Sequence, residues 1–495
     1  MKQPLILLAV LIAAGCEAPK TAPTVGRYWA RLEGTGTAGA GTAWFEYRTA
    51  TETAWTPTPA RGVNSGADLS SLVEWISGLR PGTEYRQRLC RSAGGSPPEC
   101  DPPTSFTTAA PTNLPWVIVD PEVTRHLKLT TGERFIVWGN NYVAPTGALE
   151  PNLLVEDHFY GEAGFALIAA DLQRLTNLAP PDGLSNTLRM HLQLHTFLRD
   201  AATPNREALA RYARVIELAE DHGLYVMVTG LNYFYPADNP RWIAEQTDEG
   251  EHWDTQAVWW NAIATALRYS PGAFSYDLMN EPYVSGGGIE TDGLARYTTV
   301  PANQYCDYGA DPVRGTHGTC FGQYVTAAPL GSRTAGEAAA QWVARMVEAI
   351  RAAEHDPEVP QHLVTVGVGA FGMSNPFNNS TLVHAHQDFL SPHLYPEGDD
   401  AQATIDLAAA IAALTTKPII AGETFTFGPV ARLIANTCND GTVQGWIGQY
   451  DGRRSGDSCP PDRNVFGCAL YDAWYDTQGE FGPVFRAGGC PPRMP

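Results

Sequence analysis

The stretch Phe274-Ser275-Tyr276-Asp277-Leu278-Met279-Asn280-Glu281-Pro282 decides how this chain folds. A short, mostly apolar run following a helical pattern reads as a strand buried on both faces. Pro282 cannot continue a central strand, so Asn280 and Glu281 fall at its carboxyl end. A second segment, Lys417-Pro418-Ile419-Ile420-Ala421-Gly422-Glu423-Thr424-Phe425, has the same grammar. Two glutamates therefore stand at the carboxyl ends of two buried strands.

Outward from these segments, strands and helices alternate. Phe135–Gly139 is the first expected strand and Thr187–Leu192 the second; Leu224–Thr229 is the third and Phe274–Met279 the fourth. His362–Gly367, Phe389–His393, Pro418–Gly422 and Gln444–Tyr450 continue the series to eight. Helical patterns lie between them, at Phe165–Leu172, Asn205–Asp221 with Asn205 as cap, Thr255–Arg268, 336–353, Ala401–Leu414 and near Phe466–Trp474. This α/β alternation over residues 118–495 predicts a (β/α)8 TIM barrel, in which side chains at carboxyl strand ends converge on one cleft. An open doubly wound sheet is the alternative, but neither a Gly-x-Gly-x-x-Gly after the first strand nor a phosphate-binding Gly-x-x-x-x-Gly-Lys-Ser/Thr loop is present. Residues 283–333 interrupt the series after Glu281. The run Gly286-Gly287-Gly288 and the close pair Cys306 and Cys320 mark a loop insertion.

Residues 25–110 read as all-β. Ala43, Phe45 and Tyr47 alternate on one face, Tyr85 and Leu89 on another, and Pro81-Gly82 supplies a turn. A small immunoglobulin-like sandwich is expected here, joined by a linker at 111–117. Trp29, Trp44, Trp55 and Trp75 offer a sugar platform, with packing inside the sandwich as the plainer role for each. The chain opens with a basic residue and an apolar run, Leu5–Gly15, that ends at Cys16 and is too short for an ordinary membrane span. Residues 17–24 form a polar tether.

After Cys16, eight cysteines remain, an even number that reads as disulfides in an exported chain. Cys90–Cys100 and Cys306–Cys320 are the local pairs; Cys438, Cys459, Cys468 and Cys490 allow three arrangements. The composition is globular, with 44% hydrophobic and 17% charged residues, and a formal net charge of −20 argues against nucleic acid and other polyanions as partners. No Gly-x-Ser-x-Gly elbow suggests a serine nucleophile. His158, His191 and His195 fall on different local elements, so neither a metal nor another cofactor is expected.

Asn280-Glu281-Pro282, then His393-Leu394-Tyr395, then Ala421-Gly422-Glu423 resemble, in this order, the clan of (β/α)8 glycoside hydrolases that includes family 5, the cellulases and β-mannanases. The resemblance runs from about Trp138 to at least Trp446. It implies a hydrolase with Glu281 as acid/base and Glu423 as nucleophile. It also implies Asn280 on the sugar's 2-hydroxyl, His393 and Tyr395 lining the cleft, and an aromatic platform from Trp446 or Tyr450. Residues 25–110 resemble a fibronectin type III domain, and the run before Cys16 resembles a bacterial lipoprotein signal, with Ala13 where leucine is usual. The implied location is the cell envelope, with lipid on Cys16; a plain secretory signal is the alternative.

The residues agree with the first resemblance. Retaining hydrolysis needs a protonated and an ionised carboxyl about 5–5.5 Å apart. Burial and the charge of Glu423 are expected to keep Glu281 protonated. Arg189, amid apolar neighbours in the second strand, needs a carboxylate partner, and Glu423 is the evident one. The chain departs from the family where a third-strand histidine is common: Val228-Thr229-Gly230-Leu231-Asn232 has none, and His195 or Asn232 is expected in comparable space. Asn141, Tyr142, Trp242 and Trp253 are candidates for outer subsites. The expected function is a retaining β-glycosidase acting on a β-linked, neutral glucan, mannan or xylan, endo or exo. The competing reading is a non-catalytic carbohydrate-binding lipoprotein on the same barrel.

Overall fold

The computed structural model describes residues 23–93, 96–142, 159–177, 185–232, 242, 248–284, 324–326, 330–369, 372–396, 401–424, 428–449 and 465–494. Cys16, Tyr450 and the Cys306–Cys320 pair lie outside these. The chain divides into two compact units; residues 30–75 and 83–108 belong to the smaller, and 26–29, 76–82 and 109–495 to the larger.

In the smaller unit, Gly41–Thr49 pairs antiparallel with Glu84–Ser92, and Glu99–Cys100 and Thr104–Thr107 add to the latter. The expected alternation holds for Ala43 and Phe45, at 0% and 2% exposure, while Tyr47 is only half-buried. Tyr85 turns inward and stacks on Phe106 with ring centroids 5.5 Å apart. Cys90 and Cys100 are directly opposed in register and form a disulfide. Trp55 carries Arg48 and Arg88 at 4.5 and 4.3 Å from its ring centre. Trp75 is buried, so the packing role holds for it; Trp29 is buried as well, but it belongs to the larger unit, where its indole donates to Glu217 Oε2 at 2.9 Å.

The larger unit holds a parallel sheet in the order Ser391–Pro392, Leu363–Val368, Ser275–Asn280, Tyr225–Asn232, Thr187–Gln193, Val137–Asn141, Gly445–Gln449. Its two edge strands are linked through residues 419–423, which bridge in parallel to Leu390 and His393 on one side and to Trp446 on the other. With helices Glu162–Asn177, Arg206–Asp221, Glu249–Leu267, Ala335–Ala353, Gln402–Ala413 and Val430–Asn439 between the strands and Val465–Arg486 after the last, this arrangement fits a (β/α)8 barrel. The first barrel strand begins at Val137 rather than Phe135. Phe135 instead pairs with Leu127 in a small antiparallel sheet that also includes Val117–Val119. Asn205 occupies the cap position, but its side chain makes no capping bond; its amide donates to Thr196 O at 2.9 Å. Tyr283–Val284 and Tyr324–Thr326, near the two ends of the insertion, pair with each other in parallel. From the three arrangements open to the last four cysteines, the structure selects Cys438–Cys490.

One buried cluster gathers Val137, Met227, Leu363, Phe389, Ile420 and Ile447 with Val117, Leu127 and Phe135 of the small sheet. Further along the same strands, at even spacing and so on the same face, stand Asn141, Thr229, Gly367, Ser391, His393 and Gln449. An apolar floor thus gives way to polar groups at the carboxyl ends, where Asn141 is level with Arg189, and His191 with Thr229 and Asp277.

Candidate active site

Arg189 is the hub of the cleft, and its guanidinium has no solvent exposure. Its Nε and Nη2 donate to Asp277 Oδ2 at 2.9 and 2.7 Å, Nη1 donates to Glu423 Oε1 at 2.6 Å, and Asn141 and Asn280 each accept from it at 2.9 Å. The expected Glu423 contact is present, but it is only one of two ion pairs. Asp277, fully buried, is the other; it also accepts from Thr229 Oγ1 at 2.9 Å and from the Gly367 N–H at 2.5 Å. Two carboxylates together offset the cost of burying one guanidinium. Gly367 is required by space: a Cβ there would stand 2.6 Å from Arg189 Nη2 and 2.9 Å from Asp277 Oδ2.

Glu281 follows the fourth strand with φ +50°, a left-handed conformation uncommon outside glycine. Its N–H donates to Gly367 O at 2.7 Å, holding the turn, and its side chain is 25% exposed. Its Oε1 lies 2.8 Å from His393 Nδ1. Glu423 Oε2 accepts from the Tyr395 hydroxyl and lies 3.7 Å from the same imidazole nitrogen. Single ligand-type atoms of Glu281, His393 and Glu423 all fall within 4.8 Å of one another. Burial acts to raise the Glu423 carboxyl, but His393, Arg189 and His191 together with the Tyr395 hydrogen bond outweigh it and bring it down to about 2. Among the described residues this trio is one of two groupings close enough to converge on a cation; the other, Glu46 with Cys90 and Cys100, has both sulfurs in a disulfide. Yet both Glu423 oxygens are engaged by Arg189 and Tyr395, which suits an ionised carboxylate held by protein donors.

The cleft thus brings together Glu281, Glu423, Arg189, Asn280, His393 and Tyr395. The rings of the last two are 6.4 Å apart. Asn232 ends the third strand, buried, with its amide donating to Leu192 O and Thr229 O at 3.2 Å each. It also bonds His191, whose Nε2 lies 4.0 Å from Glu423 Oε1. Burial and the Arg189 charge push His191 down to about 3, so the ring is neutral. His195 sits on the short helix Leu194–Phe197 beyond the second strand.

The platform expected of Trp446 is corrected. Its neighbour Ile447 belongs to the barrel floor, so Trp446 points to the opposite face. There it is fully buried, stacked on Phe485 at 5.2 Å and edge-on to Trp138. Tyr142 donates to Asp171 at 3.1 Å in a buried pair, and the Trp253 indole donates to Val325 O at 2.7 Å. The sequence reading missed Asp277, Thr229 and His191 as site residues, and gave Asn141 only an outer place. The signal for His191 was its spacing of two from Arg189, the relation that joined His393 to Tyr395.

Residues 181–427 match the family model described as Cellulase (glycosyl hydrolase family 5). Over that span, just under half of its length, the chain is similar to the family 5 glycosyl hydrolases. Among solved structures it is similar to an exo-β-1,4-mannosidase from Opitutaceae bacterium strain TAV5, at 16% identity and TM-score 0.47, covering 75% of this chain and 62% of that one. A β-glucuronidase from Ruminococcus gnavus matches at 10% identity and TM-score 0.39, covering 86% and 60%. The chain therefore spans less than two thirds of either structure. No curated protein matches it.

Proposed function

We propose that this enzyme is a retaining β-glycosidase acting by double displacement on a neutral β-linked glucan, mannan or xylan. The observation that carries this reading is the approach of Glu281, Glu423 and His393 to within 4.8 Å, which suits the short carboxyl separation of retaining enzymes better than the wider gap of inverting ones. Glu423, kept ionised by Arg189 and Tyr395, attacks the anomeric carbon. Glu281 protonates the leaving oxygen and then deprotonates the hydrolytic water. Arg189, itself fixed by Asp277, aims the nucleophile, and Asn280 lies beside it for the 2-hydroxyl. We also propose export, with a lipid on Cys16 as the envelope anchor, and a fibronectin type III-like role for the smaller unit as a spacer.

A panel of defined β-linked oligosaccharides with product-anomer detection, run on wild type, Glu281→Ala and Glu423→Ala, tests the reading. Retained configuration is expected, with about 10³-fold loss of rate in Glu423→Ala. Azide should rescue Glu281→Ala to give a β-glycosyl azide. Full activity in either alanine variant overturns the assignment; binding without turnover in wild type favours the non-catalytic alternative.

A further inference from the structure

Ser391 and His393 stand two residues apart where the sixth strand ends, so both side chains enter the barrel. Ser391 is fully buried, and its Oγ has no hydrogen-bond partner among the described residues. The same holds for Nε2 of His393, the ring whose Nδ1 faces Glu281 at 2.8 Å. A Cβ on Gly422 would lie 2.2 Å from Ser391 Oγ and 3.6 Å from His393 Nε2. Glycine there leaves the two atoms facing one space, close enough for a single water to bond both. A Cβ on Gly367 would lie 3.1 Å from the same Nε2 and 2.9 Å from Asp277 Oδ2. The charged and titratable groups around the ring are therefore Glu281 and Glu423 towards Nδ1, Asp277 and Arg189 towards Nε2, and His191 and Tyr395 at the flanks.

When Glu281 is loaded for its acid step, one proton lies between its carboxyl and Nδ1. Whether that proton sits on oxygen or on the ring, Nε2 carries a hydrogen in both states. A buried N–H without an acceptor is costly. Where the acceptor is lost, the favoured ring keeps its only hydrogen on Nδ1 and donates it to an ionised Glu281, one proton short of an acid. We propose that Ser391 is a positioning residue for the acid/base: through one internal water its hydroxyl accepts from His393 Nε2–H and so keeps the transferable proton at Glu281. The inference rests on the acid/base role given to Glu281 above.

The test follows kcat/KM against pH for wild type, Ser391→Ala and Ser391→Thr on two aryl β-glycosides, one with a phenol leaving group and one with dinitrophenol, which departs without protonation. For Ser391→Ala the basic limb should move down by about one pH unit, with roughly tenfold loss on the phenyl substrate above neutrality and little change on the dinitrophenyl one. Ser391→Thr should restore both. Thermal melting establishes that each variant is folded; if the alanine variant is not, Ser391→Cys, which keeps volume with a poor acceptor, is read in the same way. An unchanged basic limb, or equal loss on both substrates, overturns the role of Ser391. If Glu281→Ala keeps full phenyl-glycoside activity, the acid/base reading itself fails and takes this inference with it.

Discussion

Arg189 and Asp277 form an ion pair with no solvent exposure on either side chain, joined by two hydrogen bonds of 2.7 and 2.9 Å to a single carboxylate oxygen. Arg189 uses Nη1 to reach Glu423, so the orientation of that acid depends on a second acid that faces no solvent. Removing one member of such a pair leaves the other buried and uncompensated. Asp277→Asn should therefore cost about 3–5 kcal/mol in denaturant unfolding and also lower kcat. A variant of wild-type stability would show that Glu423 alone sustains the arginine.

Gly367→Ala tests the same pair from outside it. The added methyl group would meet Arg189 Nη2 and Asp277 Oδ2 inside van der Waals distance. At least a tenfold fall in kcat/KM is expected, roughly 1.4 kcal/mol. In the double variant with Asp277→Asn the losses should be less than additive, because both act on one contact.

Glu423 sets an acid-sensitive stability. Its carboxyl is lowered from the ordinary 4.5 to about 2, so its contribution is complete above the unfolded value and disappears as pH falls through that window. Denaturation of wild type and Glu423→Gln at stepped pH should show wild type more stable at pH 6, with the gap closing towards pH 2. A gap independent of pH would contradict the depressed carboxyl.

Glu220 should behave in the opposite sense. It is buried, and desolvation raises it to about 7 against the lowering pull of hydrogen bonds from Ser270, Tyr28 and the Gly272 N–H. The unfolded chain releases this proton near 4.5, so stability falls as pH rises from there to about 7. Glu220→Gln should match wild type near pH 4.5 and exceed it at pH 8, by on the order of 3 kcal/mol if the whole displacement is expressed.

The acid positions were legible because Pro282 marked a strand end and because a carboxylate following a twice-buried run has few places to go. Asp277 was missed although it met the condition applied to Arg189: a charge inside an apolar strand needs a partner, and the two such residues answer each other. Trp446 was misread for a different reason. In a strand covered on both faces, hydrophobicity does not say which residue looks inward, and only the membership of Ile447 in the floor decides it. The first strand was placed two residues early because Phe135 is apolar for the sake of the small antiparallel sheet, whose long-range pairing leaves no local signature.

The left-handed backbone at Glu281 has a consequence for anyone wanting a silent form of this enzyme. Glycine adopts that conformation freely, so Glu281→Gly removes the carboxyl and relaxes the main chain in one change, whereas a β-branched replacement would add crowding to lost chemistry. The glycine form should melt at a higher temperature than its alanine counterpart, which makes it the sounder scaffold for trapping an uncleaved glycan.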